Sequence, residues 1–193
     1  MTDPSSSAEI HRAPWPSAGL VLLAPAGVSP ADGARLAGLL GLRSLACTAQ
    51  GQADPQALMA RLAAEVEGWL LPLGLDPGAE LAKPGCWSEA LGAWRQPVLL
   101  QLSAAEAESG LARAYTALLV VAGVPLVGLV QLDGPWQPER RRLDGLPWLG
   151  WLSAEMPQAG SLEEEAAEAL RLHLLARWQL SSARAAEPAD PTP

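Results

Sequence analysis

Basic residues are scarce in this chain, and lysine is almost absent. Lys and Arg together number 13 against 21 Asp and Glu, which gives a formal net charge of −8, and Lys83 is the single lysine. Proteins that bind duplex nucleic acid rely on many basic contacts to phosphate. A broad nucleic-acid interface is therefore excluded.

Cysteine and histidine are also rare. The two cysteines, Cys47 and Cys86, and the two histidines, His11 and His173, show no metal-ligand spacing. These histidines do not complete a Ser-His-acid arrangement, and the G-x-S-x-G motif is absent. We expect no metal, no catalytic residue, and cysteines that are small buried residues of a reducing, cytoplasmic compartment. A catalytic thiol without an evident base is the alternative.

A basic leader and a long uninterrupted apolar run are lacking as well. Asp3 and Glu9 occupy the place of a basic leader, which argues against a secretory signal. Residues 114–132 carry no charge and are long enough to cross a bilayer, but a Gly-Val-Pro sequence at 123–125 breaks the segment. A helix that ends before this proline and a strand that follows it explain the break. We expect no membrane contact, with a membrane-anchored accessory protein as the remaining alternative.

What the chain does contain is apolar material for one substantial core. Hydrophobic residues make up 49% of the 193 residues, enough for a single domain that buries a real core. The two ends differ from the middle, because residues 1–18 and 181–193 are rich in Pro, Ser, Ala and charge. We expect disordered tails at both ends and a single domain at residues 19–180.

Short apolar runs alternate with amphipathic segments in this domain. Helix starts are marked by a capping residue before proline, or by a capping box, at positions 29, 54, 103 and 161. These signals predict strands at 19–24, 43–48, 69–75, 97–102, 126–132 and 148–152, and helices from Pro30 or Gly33 onward and at 55–67, 87–95, 103–123 and 162–179. Runs that are apolar on both faces are typical of parallel strands covered by helices. The predicted fold is α/β, a three-layer arrangement with a mostly parallel central sheet of about six strands and helices on both faces.

Two motifs late in the chain indicate a known family. A strand ends in Gly-Leu-Val-Gln-Leu-Asp at 128–133 and is followed by Leu-Pro-Trp-Leu-Gly at 146–150. This order, after an opening strand and a glycine-containing loop, resembles dethiobiotin synthetase and its relatives in the cobyrinate amidase and partition ATPase group of P-loop NTPases. In that family G-x-V-x-N precedes L-P-x-L-G. The resemblance implies a P-loop NTPase-like fold over residues 19–180, with a nucleotide site at the loop after the first strand.

The stretch that corresponds to the phosphate loop departs from the family pattern G-x5-G-K-T. Residues 27–35 read Gly-Val-Ser-Pro-Ala-Asp-Gly-Ala-Arg, so the Lys that reaches the phosphates and the Thr that binds Mg²⁺ are missing. Pro30 removes an amide donor, and Asp32 adds a negative charge. The resemblance thus implies a degenerate phosphate loop and no cofactor. Its candidate ligand-binding residues are Gly27, Ser29, Gly33 and Arg35.

Two further positions are candidates through the same resemblance. Gln50 falls where the family has a substrate contact after the second strand. The adenine-reading Asn of the family falls near Leu132 or Asp133, and neither residue supplies that side chain. Asp133 is therefore a candidate ligand contact, but it would recognise a nucleotide base differently from the Asn of the family.

Arg141 is a candidate because of its charge. It lies in the only basic cluster of the chain, residues 140–142, and such a cluster could grip a phosphate or a carboxylate through paired hydrogen bonds. The alternative is a solvated turn in which Glu139 and Asp144 balance the arginines.

Trp136 and Trp151 are candidates because of their size and position. The chain has eight Trp and no Phe, and these two fall where open α/β sheets bind ligands. They could stack on a flat ligand or anchor a protein partner, and core packing is the alternative.

These observations favour a non-catalytic, dethiobiotin synthetase-like domain whose nucleotide site has decayed. Such a domain would bind a protein partner, a second copy of itself or a small ligand. The alternative is an ATP-dependent enzyme that resembles dethiobiotin synthetase and has weak or altered nucleotide binding, with Arg35 replacing the lost charge. A loop at residues 27–35 that aims its amides at one point beside an open cavity would favour this alternative.

Overall fold

Six short, apolar strands pair side by side in a parallel sheet. The computed structural model describes residues 19–82, 85–153 and 161–186. The strands are β1 (Gly19–Leu23), β2 (Arg43–Ser44), β3 (Trp69–Pro72), β4 (Val98–Ser103), β5 (Leu126–Leu132) and β6 (Trp148–Leu152). Their order is β2-β3-β1-β4-β5-β6, and every neighbouring pair is parallel. The predicted α/β fold with a parallel central sheet is confirmed.

Helices cover both faces of this sheet. They are α1 (Pro30–Leu40), α2 (Ala49–Ala53), α3 (Pro55–Leu62), α4 (Trp87–Ala93), α5 (Ala104–Ala107), α6 (Leu111–Val121), α7 (Pro138–Leu143) and α8 (Leu162–Ala186). One core contains apolar side chains of α1 and α8, and the other contains those of α3, α4, α5 and α6. β1 contributes Leu20 and Leu22 to the first core and Val21 and Leu23 to the second. Both faces of the central strand are therefore buried, as its uninterrupted apolar run predicts.

The chain reverses direction across the sheet at β1. The connection that leaves β1 passes through α1 on one face, whereas those that leave β3 and β4 pass through α4 and α5 on the other face. In open α/β sheets, ligands bind outside the carboxyl ends of the strands at such a reversal. The topology therefore predicts a ligand site at the loops after β1, β3 and β4.

Several predicted boundaries were wrong for local reasons. The helix predicted at 55–67 ends at Leu62, which leaves Val66 95% exposed instead of packed on the core. The helix predicted at 103–123 is divided, because Ser109 accepts a hydrogen bond from the amide of Leu111 at 3.2 Å and starts a new turn after α5. The second strand is only two residues long.

The last helix extends beyond the predicted end of the domain. The last helix was predicted to end at residue 179 and continues to Ala186, because Ser, Ala and Arg follow and no proline or glycine interrupts them. The tails were expected at residues 1–18 and 181–193. Residues 181–186 belong to α8, whereas residues 1–18 and 187–193 lie outside the described residues. Among the helices that the structure describes, none has the length and apolarity that a bilayer crossing requires.

Two glycines in α1 allow a matched test of how closely this helix approaches the sheet. A Cβ on Gly33 would lie 2.6 Å from Cβ of Pro72 in β3, whereas a Cβ on Gly38 would meet nothing within 4 Å. We expect Gly33→Ala to lower the free energy of unfolding by about 1–3 kcal/mol through overpacking. Gly38→Ala should raise it by about 0.5–1 kcal/mol, because alanine favours helix. Urea unfolding of both variants checks this, and equal shifts would contradict the close approach of α1 to β3.

Candidate functional site

The loop after β1 bonds its amides within the protein. The N–H of Gly27 donates to the carbonyl of Ala24 at 3.0 Å, and the N–H of Val28 donates to the carbonyl of Leu73, just beyond β3, at 2.7 Å. Helix α1 begins at Pro30, directly after Ser29. The amides of Gly27 and Val28 therefore have carbonyl partners in the protein, and they do not form a cradle that could receive a phosphate.

The two glycines of this stretch have packing roles. Gly27 has a φ of 82°, and a Cβ there would lie 2.5 Å from the carbonyl carbon of Gly74, so this position requires glycine for conformation and for space. Gly33 lies inside α1, where the helix contacts Pro72. Their separation, which matches that of a phosphate loop, is explained here by two close approaches to the end of β3.

Ser29 and Asp32 form a local cap at the start of α1. Ser29 Oγ accepts a hydrogen bond from the N–H of Asp32 at 3.1 Å and donates to Asp32 Oδ2 at 2.7 Å. The carboxylate of Asp32 also stabilises the positive end of the helix dipole. Both side chains are thus used to start the helix, and Asp32 adds negative charge at the point where an anion would approach.

Arg35 and Asp133 come together at the carboxyl end of the sheet. Arg35 Nη2 lies 3.7 Å from Asp133 Oδ1 and 3.8 Å from Asp32 Oδ1, and the Arg35 side chain is 18% exposed. Its Nε and Nη2 are buried and have no hydrogen-bond partner among the described residues. Asp133 has a φ of 55°, which is uncommon for a residue other than glycine and turns the chain sharply after β5. The charge of Arg35 is therefore balanced by two carboxylates.

Gln50 is exposed on α2 and does not line the recess at the carboxyl ends of β1, β2 and β3. Its neighbour Gln52 does line this recess, together with Cys47, Pro72 and other residues. The recess has a volume of about 380 Å³. The Nε2 of Gln52 donates to the carbonyl of Cys47 at 3.4 Å. No pattern in the sequence distinguishes Gln52 from Gln50.

Cys47 does not show the features of a catalytic thiol. Cys47 and Cys86 are both free and half-buried. Burial raises the pKa of the Cys47 thiol, although the nearby Arg61 acts in the opposite direction. A raised pKa reduces the thiolate fraction, which is the nucleophilic form. The described residues also contain no group of three His, Cys, Asp or Glu that could hold a metal ion.

A different site, which we call the tryptophan recess, lies beside β6. It has a volume of about 360 Å³ and is walled by α7 on one side and α8 on the other. Three of the predicted contact residues meet there, and the lining also includes a third tryptophan and the histidine of α8. These five side chains belong to Trp136, Arg141, Trp148, Trp151 and His173.

Arg141 is the buried anchor of the recess. Its side chain is 4% exposed, and it donates to the carbonyl of Ala107 at 3.0 Å, to Glu108 Oε1 at 2.7 Å and to Gln131 Oε1 at 3.0 Å. The guanidinium also lies 4.8 Å from the ring centroid of Trp148, which is the geometry of a cation–π contact. Arg141 therefore joins α7 to α5 and to β5.

The other two arginines of the cluster behave differently. Arg140 pairs with Glu108, and Arg142 Nη1 lies 2.8 Å from Glu139 Oε1 with both side chains well exposed. Arg140 and Arg142 are therefore solvent-exposed arginines balanced by carboxylates, as the alternative interpretation of the cluster expected, whereas Arg141 is buried. The structure thus separates three identical residues in sequence into one buried anchor and two surface ion pairs.

Trp136 and Trp148 are held at a defined angle by this framework. Trp148 Nε1 donates to Asp144 Oδ2 at 2.8 Å, and the rings of Trp136 and Trp148 meet edge to face, with centroids 6.2 Å apart and an interplanar angle of 70°. On the opposite wall, Nδ1 of His173 lies 3.2 Å from the carbonyl oxygen of Leu149. All three tryptophans of the recess are only half-buried, so each keeps an accessible part of its ring.

Comparison with known proteins adds no relative to these observations. No protein-family model matches the chain, and no curated protein matches it.

Arg141 and Arg142 provide a matched pair for testing which arginine holds the recess together. Arg141→Met removes a charge-assisted hydrogen-bond set and leaves the amide oxygen of buried Gln131 with one partner fewer. We expect the free energy of unfolding to fall by about 2–4 kcal/mol. Arg142→Met should change it by less than about 0.5 kcal/mol, because the lost ion pair is exposed. Denaturant unfolding measures both, and a small effect for Arg141→Met would contradict the anchor role.

Proposed function

We propose that this chain is a non-catalytic binding domain, similar in architecture to dethiobiotin synthetase-like P-loop proteins, that receives a protein partner or a small ligand in the tryptophan recess. The observation that carries the proposal is the convergence of Trp136, Trp148 and Trp151 around a buried arginine beside the last strand of the sheet. Tryptophan and arginine are the residues most enriched at energetically important contacts. Half-buried tryptophans that a framework fixes in place can bind without first losing much conformational freedom.

The loop after β1 supports the non-catalytic part of the proposal. A working phosphate loop combines several free amides, a lysine and a metal ligand. Here the amides of Gly27 and Val28 are bonded to carbonyls of the protein, and Arg35 is balanced by Asp32 and Asp133. We also propose a cytoplasmic location, in keeping with two cysteines that are both free.

Nucleotide binding should be weak or absent. We expect titration calorimetry with Mg-ATP to give a dissociation constant weaker than about 1 mM for the parent chain, and no change for Arg35→Ala. The physical reason is that the loop offers neither convergent amides nor an unbalanced positive charge. Micromolar binding that Arg35→Ala abolishes would contradict the proposal and favour the ATP-dependent enzyme.

The tryptophan recess should be an accessible binding site in the native protein. Anilinonaphthalenesulfonate, a flat aromatic anion, is a suitable probe because it becomes fluorescent in apolar surroundings. We expect saturable binding with transfer of excitation from tryptophan to the dye. Ala169→Trp should weaken dye binding about tenfold or more, because residue 169 is exposed on α8 and lines the recess.

The control for the dye experiment is Ala176→Trp. Residue 176 is also exposed on α8, and it does not line the recess. This variant should bind the dye like the parent chain. Equal binding by all three proteins would show that the dye occupies another surface, and it would remove the support for a site at the tryptophan recess.

A further inference from the structure

We infer that the tryptophan recess takes an extended peptide segment of a partner protein, in which apolar residues alternate with Asp or Glu, and that this segment adds as a further strand to the open edge of β6. The inference rests on the proposed function and specifies the occupant and its manner of binding. Strand addition gives affinity through main-chain hydrogen bonds and specificity through pockets for alternate side chains.

The first observation is the position of β6 at the end of the sheet. β6 is the last strand in the order, and among the described residues the only strand that pairs with it is β5. The outer edge of such a strand presents backbone N–H and C=O groups that can pair with another chain. The register between the two strands shifts at Leu129 and Val130, so Leu149 is an extra residue on β6. Its carbonyl is within hydrogen-bond distance of Nδ1 of His173.

The second observation is that the recess follows this edge. Its lining includes Leu146, just before β6, and residues 148–151 of the strand, as well as side chains of α7 and α8. Leu149 and Leu152 are buried in the core beneath α8, whereas Trp148 packs on the opposite core. A groove between a strand edge and two helices, with tryptophan surface in its walls, has the shape that an extended segment needs.

The third observation is the sign of the charges. The ionisable residues that line the recess are Arg141, Arg142 and His173, and no carboxylate among the described residues lines it. This contrasts with the net charge of −8 for the whole chain. Within the part of the chain that the structure describes, Arg142 forms an exposed ion pair with Glu139, which contributes little and can exchange for a carboxylate of the peptide. Charge complementarity therefore favours an acidic segment.

The same charges argue against a second copy of this chain at the edge. A two-fold symmetric contact places the same surface patch on both sides. The recess, whose lining contains Arg141 and Arg142 and no carboxylate among the described residues, would then meet a patch that carries the same arginines, and like charges oppose association.

The test uses the full-length chain and a capped peptide in which valine and glutamate alternate. Bound anilinonaphthalenesulfonate reports on the recess, and displacement of the dye by the peptide is measured. We expect displacement with a dissociation constant in the range of about 10–500 µM, as is usual for a short segment that must be ordered on binding. Binding of the dye without peptide tests the proposed function separately from the inference about the peptide.

Two chemical controls separate strand addition from other modes of binding. In the first, alternate backbone nitrogens of the same peptide are methylated, which removes main-chain donors and keeps every side chain; it should bind about tenfold more weakly or worse. In the second, lysine replaces glutamate, and binding should be lost. Arg142→Glu should weaken binding of the glutamate peptide about twofold to fivefold. Ala169→Trp should abolish binding of this peptide, and Ala176→Trp should leave it unchanged.

Several outcomes would overturn the inference. If the dye binds and the peptide does not displace it, or if the methylated peptide binds equally well, strand addition is wrong and the proposed function stands. If neither dye nor peptide binds, both are wrong. A concentration-dependent dimer in sedimentation that Ala169→Trp disrupts would identify a second copy as the occupant. Peptide binding that strengthens about tenfold on deletion of residues 1–16 would identify the chain's own amino-terminal segment.

Discussion

The structure depends on the burial of β1 from both sides. Leu20, Val21, Leu22 and Leu23 are each 0% exposed, and they point alternately into the two cores. A strand in this position needs helices on both faces, and a parallel sheet with helical crossovers provides them. The layers, the parallel pairing and the reversal of direction at β1 all follow from this constraint.

The same constraint decides where binding can take place. The loop after β1 lies against the end of β3 so closely that Gly27 and Gly33 leave no room for side chains. Close packing there stabilises the centre of the sheet, and it uses the amides of Gly27 and Val28 that a phosphate would need. At the other end of the strand order, β6 has a helix on either side and an outer edge that no strand of the described part of the chain pairs with. The accessible aromatic surface is found at this edge, away from the crevice at β1.

Arg141 links the stability of the fold to the geometry of this edge. Burial of a charged side chain is costly unless hydrogen bonds and an opposite charge compensate for it. The carbonyl of Ala107, Glu108 and Gln131 supply that compensation, and the ring of Trp148 covers the guanidinium. The contacts that offset desolvation also fix α7 and hold Trp148 in place, so the recess is preorganised by interactions that belong to the core.

The sequence alone determined the α/β class, the parallel strands and the limits of β5 and β6, because apolar runs, caps and proline breaks are local signals. It could not decide what each functional residue does. The spacing of Gly27 and Gly33 suggested a phosphate loop, and only the tertiary structure showed contacts with Gly74 and Pro72, which lie far away in the chain. In the cluster at 140–142, three identical arginines became one buried anchor and two surface pairs. Burial and partners are set by long-range packing, which no local pattern contains.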